Sequence, residues 1–287
     1  MSGFDTWMAA LEARQLSNLT FQEISRALRA LSSTYVERRT KLSEGAALSG
    51  HGKRAAFALF YGPLHYLLVR EVVRALGAPF TTVQSILDLG CGTGASGAGW
   101  VAACGSAPTL TGIDRHPWAI DEARQTARDL GLRGTFRVDD LTTVGTDGRS
   151  SGDRSRGGRA DAGSRDQRHA ARGERRGTPT HPQIGSRHAN RGVLLAYAVN
   201  EIADDAARAA LRDRLLAHGA AGGRVLVIEP LAGFVAPWWK DWVPLFEAAG
   251  GRADEWRFTV PLPPIVEKLD RAAGLNHREL KARSLSL

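Results

Sequence analysis

The sequence predicts an α/β protein: a seven-stranded, mostly parallel sheet with helices on both faces, preceded by an N-terminal helical cap. Three observations lead there. From Thr82 onward short apolar runs alternate with helical stretches, a glycine-rich turn follows the first of those runs, and residues 1–81 read as helix.

The cap comes first in the chain. Thr20-Phe-Gln-Glu23 has the form of a capping box, in which the threonine hydroxyl and the glutamate carboxylate each satisfy the other's backbone amide. Ile24, Leu28 and Leu31 then recur at helical spacing. A second helical region, Lys53–Leu76, meets Gly62-Pro63, where the missing proline N–H calls for a kink or a restart. Tyr61, His65 and Tyr66 on that helix read as packing residues, with a lid over a ligand as the alternative.

Residues 82–287 form the second unit. Strands are expected at Val83–Leu89, Thr109–Ile113, Thr135–Val138, Val193–Val199, Arg224–Ile228, Glu255–Val260 and Leu280–Leu287. Helices are expected at Pro117–Leu130, Asp204–His218 and Ile265–Ala272. Phe234, Trp238, Trp242 and Phe246 fall four residues apart, which reads as the core face of a helix starting at Pro237 rather than a platform for stacking bases.

Parallel neighbours need long, usually helical crossovers, and one crossover breaks that rule. Residues 145–192, between the third and fourth strands, hold 11 Arg, no Lys, 5 acidic residues and 10 Gly, with Ile184 as the one large apolar side chain. So little apolar surface cannot offset the entropy of ordering, and an Arg/Gly-rich disordered insertion is expected. Three origins stay open: an RNA-binding arm, a neutral solvated insertion, or an out-of-frame reading of GC-rich coding DNA. The block also explains the charge. Of the chain's net +8, from 38 Lys and Arg against 30 Asp and Glu, this block supplies +6 and leaves +2 for everything else.

Composition excludes several classes. Two cysteines, Cys91 and Cys104, cannot build a disulfide framework or a four-thiolate metal site, and the eight histidines show no metal-ligand spacing, so no metal is expected. The longest uncharged apolar run, Ala55–Val69, is broken by Gly62, Pro63 and His65, and the first residues lack the pattern of a secretory signal. A cytoplasmic protein with no membrane segment is the expectation.

The motif that carries chemistry is Ser85-Ile-Leu-Asp-Leu-Gly-Cys-Gly-Thr-Gly-Ala95. A strand ends in Asp88, and Gly90, Gly92 and Gly94 turn the chain into a helix whose free N–H groups can meet a ligand. Gly92 to Gly97 also satisfies G-x-G-x-x-G, so a dinucleotide site is an alternative. The run Asp88-Leu-Gly-Cys-Gly-Thr-Gly94 resembles motif I of class I S-adenosylmethionine-dependent methyltransferases, a Rossmann-like family, and a carboxylate suits a ligand that carries an ammonium and a sulfonium. The resemblance implies that Asp88, Gly90, Cys91, Gly92 and Gly94 bind S-adenosylmethionine, that Asp114 bonds its ribose with Arg115 near the adenine, and that Asp139 or Asp140 bonds the adenine amino group. Cys91 is simply a side chain small enough for the turn.

The fourth strand should face the methyl acceptor. Asn200 and Glu201 emerge at its end, where the amide can orient a nucleophile and the carboxylate can act as a base. Asn200 as a cap of the following helix is the competing reading. Tyr197-x-x-Asn200-Glu201, the later Ile228-Glu-Pro230 and the helical cap resemble more narrowly the ribosomal small-subunit methyltransferase-like family. That implies ribosomal RNA as acceptor and the small ribosomal subunit as partner. A small-molecule acceptor, and a non-catalytic cofactor-binding assembly factor, are the alternatives.

Overall fold

The computed structural model describes residues 2–37, 48–150, 190–231 and 236–287. Seven strands, β1 (Ser85–Leu89), β2 (Thr109–Asp114), β3 (Gly134–Val138), β4 (Arg191–Ala196), β5 (Arg224–Glu229), β6 (Arg252–Phe258) and β7 (Leu280–Ser286), make one sheet in the order β3-β2-β1-β4-β5-β7-β6. The first five run parallel, and β7 enters antiparallel between β5 and β6. The order reverses between β1 and β4, which opens a crevice beyond their carboxyl ends, the usual ligand position in open α/β sheets.

Period-two alternation builds two cores, one on each face. Ile86, Leu194, Leu226 and Ile228 face the cap side, where they join a buried cluster containing Trp7, Leu11, Ile24 and Leu59. Leu87, Leu89, Val193, Leu195, Val225 and Val227 face the other side. There they meet α8 (Asp205–Ala220) and α9 (Trp239–Ala248), whose Leu211, Leu215, Trp242 and Phe246 are buried. Trp242 and Phe246 thus serve as core, as their spacing indicates, and Phe234 lies outside the described residues.

On the cap side stand α1 (Gly3–Gln15), α2 (Phe21–Glu37), α3 (His51–Ala56) and α4 (Gly62–Leu76), a short turn α5 (Ala78–Thr81), then α6 (Ala95–Ala103), α7 (Pro117–Asp129) and α10 (Pro264–Ala272). The expected capping box forms: the Thr20 amide donates to Glu23 Oε2 at 2.8 Å, and the Glu23 amide donates to Thr20 Oγ1 at 3.3 Å. Arg14 ties α1 to α7 through Glu122 at 2.6 Å and Asp129 at 3.0 Å.

The expected interruption at Gly62-Pro63 takes the form of a π-helical segment, Phe57–Tyr61, that joins α3 to α4, which starts at Gly62; the Gly62 amide donates back to the Phe57 carbonyl five residues earlier. Widening the helix by one residue before Pro63 accommodates the ring and the missing N–H, so the chain continues. The composition break at 145–192 overstates the insertion. Gly145–Ser150 is a turn closed by a Val144–Ser150 bridge and by Arg137 Nη2 on the Gly148 carbonyl at 2.6 Å. At the far end, Arg191 and Gly192 are already β4, paired with Ser85 and Ile86. Residues 151–189, and with them the expected disorder, lie outside the described residues.

Candidate active site

A cavity of about 810 Å³ opens over the carboxyl ends of the parallel strands, within the size range of ligand sites. Its floor is the turn between β1 and α6. The Gly90 and Cys91 amides both donate to the Ile113 carbonyl, at 2.8 and 2.9 Å, which hooks the turn to the end of β2. Gly90 has φ 75°, and a Cβ there would stand 2.5 Å from that of Ala198, so only glycine fits where the turn meets the chain leaving β4. The Gly92 amide donates to Asp114 Oδ2 at 2.9 Å. Thr93, Ala95 and Ser96 come next, buried and lining the cavity. Ala95 and Ser96 stand in the first turn of α6, where amides have no helical carbonyl of their own, which makes them ready donors for a ligand carboxylate.

The strand-end acids line the same cavity. Asp114 lines the cavity with one oxygen on Gly92 and the other accepting from the His116 amide at 2.8 Å, and each oxygen keeps a lone pair for a ribose hydroxyl. Asp139 and Asp140 line it at the end of β3. Burial alone would raise the Asp139 carboxyl, but hydrogen bonds from Ser150, the Asp140 amide and Arg137 outweigh it and hold the group below its ordinary value. Asp140 Oδ1 accepts from the Thr142 amide at 2.8 Å and so shapes the turn after β3.

Two motif residues stand elsewhere. Asp88 does not line the cavity. It is fully buried beneath the turn, its Oδ2 accepting from the Gly97 amide at 3.0 Å and its Oδ1 without a hydrogen-bond partner among the described residues. Burial pushes this carboxyl up to about 7, so the expected charge complementarity with a cationic ligand gives way to a role in anchoring α6. Gly94 likewise faces away: at φ 75° it precedes α6, and a Cβ there would press on Ala123 of α7 at 3.1 Å. Cys91 does line the cavity, with its thiol driven well above its ordinary value by burial and then by Asp88 and Asp114, which keeps it an inert thiol.

Beyond β4 the chain makes a 3₁₀ turn, Val199–Glu201, and the wall changes character. The Asn200 amide is held on both sides: Nδ2 donates to Glu229 Oε2 at 2.5 Å, and Oδ1 accepts from Trp238 Nε1 at 2.8 Å. The helix cap is instead Asp204, whose Oδ1 accepts from the Ala207 amide at 2.8 Å. Glu201 reaches across the cavity to Arg115 Nη2 at 3.3 Å. Desolvation lifts its carboxyl to about 7, with Arg115 opposing and Asp114 adding. Tyr197 sits at φ 62°, an uncommon backbone state for a residue with a side chain, and its ring stacks on His65 of α4 with centroids 4.3 Å apart. Burial lowers His65 to about 4, so the imidazole is neutral. Tyr61 and His65 line the cavity with Phe57, whereas Tyr66 packs on Phe4 and Trp7. Periodicity could not separate these outcomes, because all three lie on one apolar helix. His277, on the loop before β7, lines the far wall and had no local signal at all.

A family model described as a methyltransferase domain matches residues 86–151, the stretch from β1 to the turn after β3. No curated protein matches the sequence. Among solved structures, the YcgJ protein of Bacillus subtilis is 11% identical, with a TM-score of 0.39 and coverage of 76% of this chain and 96% of that one. The fibrillarin of Aeropyrum pernix with natively bound S-adenosyl-L-methionine is 11% identical, with a TM-score of 0.40 and coverage of 79% and 76%. The precorrin-6y C5,15-methyltransferase of Geobacter metallireducens is 9% identical, with a TM-score of 0.38 and coverage of 84% and 90%. The sheet has a Rossmann-like arrangement, and the methyltransferase-domain match falls on its first three strands. Among the described residues no helix is long and apolar enough to cross a membrane.

Proposed function

We propose that this chain transfers the methyl group of S-adenosylmethionine to ribosomal RNA. The observation that carries this reading is the pairing of Asn200 with Glu229. The two short motifs of the narrower resemblance, Tyr197 to Glu201 and Glu229-Pro230, are far apart in sequence and meet at one point of the cavity wall.

The donor arrives already activated, since its sulfonium makes the methyl carbon electrophilic. What the protein contributes is position. Asp114 would hold the ribose, Asp139 and Asp140 would face the adenine, and the amides at the start of α6 would meet the carboxylate of the methionyl part; these residues line the cavity. Asp88 and Gly94 support that cradle from behind. Asn200, fixed by Glu229 and Trp238, presents a rigid polar edge to the acceptor, and the stacked His65 and Tyr197 rings offer a flat apolar wall. Glu201 closes the cofactor groove through Arg115.

A small-molecule acceptor is the second reading. It is favoured by the net +2 of the chain outside residues 145–192, since tight RNA binding draws on many phosphate contacts, and by the cover that the π-helical segment and α4 give the cavity. Calorimetric titration with S-adenosylmethionine comes first, and a folded chain that binds none sinks both readings. Transfer of labelled methyl to small-subunit ribosomal RNA, against a metabolite extract, then separates them. Binding without transfer to either, together with co-sedimentation with the small subunit, selects the assembly-factor alternative.

A further inference from the structure

The acceptor side of the cavity holds a hydrogen-bonded His–Asp pair that the motifs do not account for. His277 lines the cavity from the loop between α10 and β7. Its Nδ1 lies 2.5 Å from Asp270 Oδ1, and its backbone amide donates to Asp270 Oδ2 at 3.0 Å. Asp270 sits on the last turn of α10 with 10% of its side chain exposed, and the buried ring of Phe60, in the π-helical segment, meets the imidazole edge-on at 5.4 Å. Both oxygens of one buried carboxylate are thus spent on one histidine. A carboxylate on Nδ1 fixes the proton there, so the ring nitrogen left for a ligand is Nε2, with its lone pair free to accept.

The strand order says which ligand it meets. The cofactor cradle lies over β1, β2 and β3, whereas β7 neighbours β5 on the opposite side of the crevice, beyond Asn200 and Glu229. We infer that His277, oriented by Asp270, is the residue that takes the proton from the methyl acceptor; this rests on the methyl-transfer reading above. Nε2 accepts the proton of an acceptor N–H or O–H as the freed electron pair bonds to the methyl carbon. The methyl–sulfur pair stays on sulfur, which turns from sulfonium to neutral thioether, and Asp270 balances the charge left on the imidazole. Glu201 then serves as the clasp over the cofactor rather than the base.

The test uses the full chain, with labelled S-adenosylmethionine and either small-subunit ribosomal RNA or a metabolite extract as acceptor. His277→Ala is expected to lower kcat by about 100-fold, the usual weight of a general base, with KM and cofactor affinity changed less than about threefold. Added imidazole should restore turnover to His277→Ala and not to Glu201→Gln. Long-range ¹H–¹⁵N spectra should show His277 protonated on Nδ1 in the wild type, and Asp270→Asn should abolish that preference. The inference is overturned by a His277→Ala chain that keeps turnover within threefold, by a loss that imidazole does not repair, or by a proton on Nε2. A wild-type chain that binds the cofactor and methylates neither acceptor overturns the methyl-transfer reading itself, and the proton-acceptor role with it.

Discussion

The two halves of the cavity are built on different principles. The half proposed for the cofactor, over β1 to β3, is made mostly of backbone: glycines that let the chain turn, amides of one helix end, and acids at strand ends, all between Ser85 and Asp140. The acceptor half is made of side chains brought from α4, the β4 turn, the end of β5 and the loop before β7. Backbone cradles depend on local turn geometry and so recur as short motifs, whereas side-chain walls depend on how distant elements pack. The methyltransferase-domain match, residues 86–151, falls on the first of these halves.

The largest effect should come where the halves touch. In Gly90→Ala the new methyl would stand 2.5 Å from the Ala198 Cβ at a φ of 75°, and overpacking with left-handed strain should cost about 3 kcal/mol. Urea unfolding should show the loss, and cofactor affinity and transfer should fall together. Asp114→Ala breaks the cofactor half alone, removing the acceptor for the Gly92 amide and for the ribose. Calorimetry should find about 100-fold weaker S-adenosylmethionine binding, or roughly 2.7 kcal/mol. A loss under threefold would mean that Asp114 only shapes the turn.

Asp88 sharpens the contrast through pH. Its folded value near 7 exceeds its unfolded value, so its contribution to stability is complete below about pH 4 and is lost as pH rises through 7. Asp88→Asn, which keeps an oxygen for the Gly97 amide, should remove that slope and gain stability relative to wild type as pH rises from 4 to 8. Parallel pH profiles of thermal unfolding for the two proteins would contradict a buried, neutral carboxyl.

Asn200→Ala should do the reverse of Asp114→Ala. It strips Glu229 and Trp238 of a shared partner and should lower transfer about tenfold, near 1.4 kcal/mol, while S-adenosylmethionine affinity stays within twofold. Equal losses in both would merge the two halves into one. The smallest effect is expected from replacing residues 151–189 with a short Gly-Ser linker between Ser150 and Asn190. Described cavity walls come from outside that stretch, so cofactor affinity should change less than about threefold. The cut must stop short of Arg191, which already pairs in β4.

Much of the cofactor half is legible in the chain's local patterns. The alternation of runs locates all seven strands to within a few residues, and the turn from Asp88 to Gly94 with the acids at 114, 139 and 140 points to one ligand. The chemistry of Asp88 is the exception. A carboxylate two residues before a glycine turn reads as a ligand contact, but a strand residue has two faces, and this one points under the turn to Gly97. In the acceptor half the positions of Asn200 and Glu201 are legible while their partners are not. Glu229 is 29 residues from Asn200, Trp238 is 38 away, and Arg115 is 86 residues from Glu201. The His277–Asp270 pair leaves no trace, since a histidine in a loop and an aspartate on a helix are unremarkable apart.

The sequence by itself determined the order of strands and helices, the glycine turn and the acids at the strand ends, because periodicity and turn chemistry act over a few residues. Only the tertiary structure decided which carboxyls are charged, which histidine is presented to a ligand and which glycines touch the cavity. Those properties follow from burial and from partners dozens of residues away, and burial belongs to the packed elements around a side chain rather than to its neighbours in the chain.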